Sequence, residues 1–145
     1  MKMSFSYAAH GLVLLLTATL LAVSQADTIV VGGSEHWRFG FNYTDWALQH
    51  GPFYQNDTLV FKYDPPSDAT PPHTVYLLPN LWSFMRCDFS RAQLLANTTQ
   101  GSGDGFEFVL SNWRPLYFAC GEDNGINCKE GMMKFFVVPL RRLQG

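Results

Sequence analysis

The apolar residues of this chain fall in short runs, each closed by a turn signal. Thr28 to Val31 (TIVV) is apolar and β-branched and ends at Gly32-Gly33. Thr58 to Tyr63 (TLVFKY) alternates, which places Leu59, Phe61 and Tyr63 on one face. His73 to Leu78 (HTVYLL) follows the Pro-rich stretch DPPSDATPP. Phe106 to Leu110 (FEFVL) alternates after GSGDG, and Leu116 to Cys120 (LYFAC) and Lys134 to Val138 (KFFVV) complete the set. One helical piece is expected at Ser90 to Ala96 (SRAQLLA), where Ser90 can cap the first turn. Strands at this spacing in one small domain predict an all-β Greek-key sandwich or barrel of about seven to eight strands with one short helix. An aromatic content of 15% suits such a core.

One run breaks the pattern. Leu12 to Val23 (LVLLLTATLLAV) is apolar over about a dozen residues, follows a short basic start at Lys2, and is followed by the small or polar residues Ser24, Gln25 and Ala26. Its length suits the core of a secretory signal peptide and falls below the roughly 20 residues of a membrane span. An N-terminal membrane anchor is the competing reading. The expected organisation is a signal peptide over 1–26, one folded domain over 27–140 and a short tail over 141–145. No second apolar run follows and the chain ends PLRRLQG, so neither a transmembrane helix nor a lipid-anchor tail is expected in the mature chain. Three Asn-x-Thr sequons, at Asn42, Asn56 and Asn97, agree with a secreted, extracellular glycoprotein. Asn56, in the turn-like stretch YQNDT, is the foremost acceptor.

Charge narrows the partners. The formal net charge is −2 with no basic patch, so nucleic acid is not an expected partner. Asp104, Glu107, Glu122, Asp123 and Glu130 show no paired-carboxylate spacing, and there is no Ser-His-Asp pattern or phosphate loop. No enzyme is expected. The chain has three cysteines, an odd number. In an oxidising compartment two pair and one remains, either as an inert buried thiol or as a ligand.

The remaining chemistry is soft. Thiolate, imidazole and thioether together suit copper, and a His₂Cys plane with a weak axial Met is the blue-copper arrangement. Cys120 ends a strand, Met132 follows twelve residues on, and His73 starts an earlier strand. The motifs VGGSEHWRFGFNYTDWA, GPFYQNDTLVFKY, PPHTVYLL, WSFMRCDF, RPLYFACG and CKEGMMKFFVVP, taken together, resemble the plant phytocyanins, cupredoxins of the plastocyanin-like class, as in plantacyanins and uclacyanins. The likeness covers essentially all of residues 27–139.

That resemblance implies a cupredoxin-like sandwich and a role in electron transfer through a type 1 (blue) copper-like site. It implies a Cys87–Cys128 disulfide beside the metal and makes Cys120 the copper thiolate, His73 the first imidazole and Met132 the axial ligand. The family's second ligand histidine falls on Asn127, and the connection from Cys120 is two residues longer than the family's Cys-x-x-x-x-His. Asn56 stands where Gly is usual and Thr74 where Asn is usual. The two remaining mature-chain histidines, His36 and His50, are expected away from the ligand loop. Two roles follow: an extracellular electron carrier with a weakened copper site and an unidentified redox partner, or a metal-free glycoprotein that binds cell-wall or cell-surface components. The expected location is the apoplast or cell wall, including the outer face of the plasma membrane.

Overall fold

A computed structural model describes residues 25–143; the expected signal-peptide core lies outside the described residues. Seven strands form two sheets: β1 (Thr28–Val30), β2 (Thr58–Phe61), β3 (Val75–Leu78), β4 (Gln93–Ala96), β5 (Phe106–Val109), β6 (Leu116–Ala119) and β7 (Lys134–Val137). The smaller sheet runs β1-β2-β5 and the larger β4-β3-β6-β7. β1 pairs with β2 in parallel and every other pair is antiparallel. This is the all-β sandwich that the short alternating runs predict.

Alternation builds the core. On β2, Leu59 and Phe61 are fully buried, and across the interior lie Phe118 on β6 and Phe135 on β7, also fully buried. Phe118 and Phe135 sit opposite each other in the β6–β7 ladder, which sends both side chains to one face, and their rings stack at 5.2 Å. Trp37 closes the layer, edge-on to Phe61 at 5.2 Å and to Phe135 at 6.1 Å. Such pairs add about 0.5–1.5 kcal/mol each beyond the area they bury.

The expected helix at Ser90 to Ala96 is not formed. The Ser90 amide donates to Asp88 Oδ1 in a local turn, and residues 93–96 become β4, pairing with β3 through Tyr76↔Leu94 and Leu77↔Gln93. Edge pairing overrides the weak helical preference of QLLA. Three helices stand elsewhere: α1 (Tyr43–His50), α2 (Leu81–Arg86) and α3 (Ile126–Lys129). Asn42 caps α1 by accepting from Asp45 N, and Asn80 caps α2 by accepting from Ser83 N.

Candidate metal centre

Two strands carry the chemistry to one end of the sandwich. His73 lies just before β3 and Cys120 just after β6, and β3 and β6 are hydrogen-bonded neighbours. Register therefore sets the pair: Cys120 Sγ lies 4.0 Å from His73 Nδ1. Cys120 is fully buried and His73 is 6% exposed. Burial holds the His73 imidazole below its usual pKa, which favours the neutral ring.

The returning connection supplies the third member. Asp123 and Asn124 take left-handed backbone conformations, and Gly125, also left-handed, opens the single turn α3. Cys128 in that turn is bonded to Cys87, with Cα atoms 5.9 Å apart, and Cys120 is left as the free, buried cysteine. The disulfide that the resemblance implies is thus present and anchors the turn that bears Asn127. Gly131 lies against the same turn: a Cβ there would meet Asn127 O and the Phe39 ring at 2.5 Å, so only glycine permits that approach.

Asn127 is buried, and its amide nitrogen lies 3.3 Å from His73 Nδ1 and 3.5 Å from Cys120 Sγ. One amide group thus offers its two hydrogens to two acceptors. With the amide nitrogen donating, Nδ1 is the acceptor and the imidazole proton lies on Nε2. The sulfur also accepts from Thr74 N at 3.4 Å. Thr74 is itself fixed, with its carbonyl accepting from Trp37 Nε1 at 3.0 Å and its hydroxyl from Gly121 N at 3.2 Å. Thr74 is a residue whose bonding to the sulfur sequence reasoning missed. Its only signal was its stand-in position for Asn in the ligand-strand motif.

The two adjacent methionines take opposite environments. Cys120 N donates to Met133 O, which continues the β6–β7 register from Ala119↔Lys134 to Cys120↔Met133. Directly opposed residues share a face. Met133 is fully buried in the same core cluster as Cys120, whereas Met132 is 39% exposed in a left-handed conformation. The structure thus brings His73, Cys120 and Asn127 together and turns Met133, rather than Met132, toward the core side.

The two other histidines of the described residues take different surroundings. His50 bonds Trp46 O through Nδ1 at 2.8 Å and stacks on Trp46, within α1. His36 lines a cleft of about 280 Å³ together with His73, Tyr63, Lys62 and Asp64. Its neighbourhood with His73 arises because Trp37 N donates to Lys62 O, which draws the 36–38 segment onto the end of β2. Asn42, Asn56 and Asn97 are all exposed. No helix of the described residues is long and apolar enough to cross a membrane.

No family model matches the chain. Early nodulin-55-2 of Glycine max is 43% identical over 58 residues, a stretch that makes up 37% of this chain and 30% of that protein. The matched stretch thus spans less than a third of that curated relative's length. Among solved structures, cucumber basic protein, a blue copper protein, matches with a TM-score of 0.58 and 28% identity over 78% of this chain and 99% of its own. Cucumber stellacyanin, described with Cu²⁺, matches in fold with a TM-score of 0.63 and 22% identity over 82% of this chain and all of its own. The two-sheet fold, with a cysteine and a histidine at neighbouring strand ends, is cupredoxin-like. In sequence and fold the chain resembles the plant blue copper proteins it matches.

Copper is the group this fold implies, and the donor set tests the fit. A His₂Cys plane needs two imidazoles, and here the second corner holds an amide whose N–H groups point at both soft donors. Among the described residues no group of three or more His, Cys, Asp or Glu side chains converges as a metal site. The residues present make an incomplete type 1 donor set: the thiol of Cys120 and the imidazole of His73 are in place and the second imidazole is missing.

Proposed function

We propose that this is a secreted phytocyanin-like protein. Its family-level role is electron transfer, at a type 1 copper-like site weakened by Asn127. The reading carries no catalytic step. The observation that bears most weight is the Asn127 amide, which donates to Cys120 and His73 where the family supplies a second imidazole. A hard amide oxygen or a non-basic amide nitrogen is a poor partner for Cu(II). Cys120 would carry the covalent coupling and His73 the remaining imidazole, with methionine as a weak axial neighbour.

The same amide supports a second reading, a metal-free extracellular glycoprotein on a cupredoxin scaffold. There the triangle of Asn127, His73 and Cys120 is a satisfied polar core, and the surface with its sequons engages cell-wall or cell-surface components. A copper titration followed in the visible separates the two. The unmutated protein is expected to show no intense thiolate charge-transfer band with one equivalent of Cu(II). Asn127→His is expected to restore the band in part, and fully when the 121–126 connection is also shortened by two residues. An intensely blue unmutated protein would establish the electron carrier and refute the weakened site.

A further inference from the structure

A second buried polar centre lies at the other end of β2. Asp57, the residue before that strand, is 1% exposed. Three separate parts of the chain donate to its carboxylate. Asp27 N lies 2.9 Å from Oδ1. Tyr54 N lies 2.9 Å from Oδ2. Arg142 Nη2 reaches Oδ1 at 2.5 Å, and its guanidinium lies over the Tyr54 ring at 4.9 Å. The Asp27 carbonyl in turn accepts from Thr58 N at 2.8 Å, so the main chain of Asp27 is held on both sides. Asp27 follows Ala26, the last residue of the expected signal peptide, and Gln25 and Ala26 are exposed.

We propose that the Asp57 carboxylate is the receptor for the α-ammonium released when the chain is cut between Ala26 and Asp27. The proposal rests on the secretory reading above. Hydrolysis of that bond consumes one water. Ala26 departs with a carboxylate, and the Asp27 nitrogen, previously an amide, becomes an ammonium at neutral pH. That nitrogen already sits 2.9 Å from a buried carboxylate oxygen. The cut thus converts a neutral donor into a charged one without moving the backbone, and a charge-assisted bond is roughly twice as strong. It also gives Asp57 a second cation beside Arg142, and the side chain of Asp27 itself is exposed. Processing would thereby tighten the start of β1 onto β2. The uncut chain would fold with a weaker version of the same contact.

The test compares two secreted products of the full chain. One is unaltered; the other carries Gly-Ser inserted between Ala26 and Asp27, so that cleavage leaves its amine two residues upstream. Intact mass locates the cut in each. At pH 7 the unaltered product is expected to have an unfolding constant about tenfold lower than the insertion variant. Its α-amine is expected to titrate above the ordinary range of about 7.7–8.0. A raised folded-state pKa means that the added stability is complete below the unfolded amine pKa and is lost as pH rises through the folded one. The tenfold gap should therefore close in alkali. Asp57→Asn is expected to erase both the gap and the raised amine pKa. Should Asp57→Asn fail to fold, the alkaline collapse and the amine titration decide alone. Equal stabilities with an ordinary amine pKa, in a product whose mass confirms the cut at Asp27, would overturn the capture. A mass that placed the cut elsewhere would overturn the secretory boundary and the receptor role with it.

Discussion

β2 connects two buried polar clusters of opposite character. Asp57 stands before its first residue, and Tyr63, past its last, faces His73 edge-on at 6.3 Å. At the Asp57 end a full negative charge is held by Arg142 and two backbone amides. At the His73 end an amide, a neutral ring and a sulfur satisfy one another. Both clusters join distant parts of the chain, yet their energetics differ. Removing one partner of a buried ion pair strands the other charge, at about 3–5 kcal/mol. Removing a neutral donor strands polar atoms that each cost only about 1–3 kcal/mol. The end that the family gives to a metal is therefore the more forgiving one to mutate.

Asp57→Ala should make the largest difference. It leaves the amides of Asp27 and Tyr54 without their acceptor and unpairs the partly exposed Arg142 guanidinium, and is expected to cost about 2–5 kcal/mol in urea unfolding, mostly from the two stranded amides at about 1–3 kcal/mol each. Next comes the paired change Cys87→Ala with Cys128→Ala, which opens a link across 41 residues; a loss of about 2–5 kcal/mol is expected by calorimetry of the secreted protein. Asn127→Ala should cost less, about 1–3 kcal/mol, because Thr74 still donates to the sulfur. A cost equal to that of Asp57→Ala would erase the contrast between the clusters.

The smallest effect is a pH dependence. The buried His73 has a pKa below its usual value of 6.5, so the unfolded chain takes up a proton there first. Its neutral form contributes stability above about pH 6.5, and that contribution is lost as pH falls through and below that value. A His73→Gln variant should show a flatter decline in stability below pH 6.5. An identical acid profile for both proteins would show that His73 is not held neutral.

Much of the sandwich was legible because buried strands advertise themselves by alternation: Leu59, Phe61 and Tyr63 are all buried as one face. The segment 93–96 was not, since QLLA carries neither period and only its neighbour β3 makes it a strand. Helices α1 and α2 were not anticipated either, since runs of eight and six residues hold too few turns to show a helical period, and their caps, Asn42 and Asn80, are single polar residues. At the site, the resemblance located Cys120, His73 and Asn127. What it could not supply was the direction of the Asn127 amide, the grip of Thr74 on the sulfur or the choice between two adjacent methionines. Those depend on register, and one residue of slip reverses a side chain's face. The Asp57 cluster left no local pattern, because its donors come from residues 27, 54 and 142.

Helix α1 has a consequence beyond packing. β7 is the outer strand of the larger sheet, and an outer strand exposes a row of unpaired amides and carbonyls to which a stranger chain can add. Here Thr44 Oγ1, on α1, donates to Lys134 O at 3.0 Å. Beyond the strand, Leu140 exchanges backbone bonds with Phe53 and Gln55. The helix thus occupies the start of that margin, which leaves an incoming chain fewer free groups along β7 to pair with.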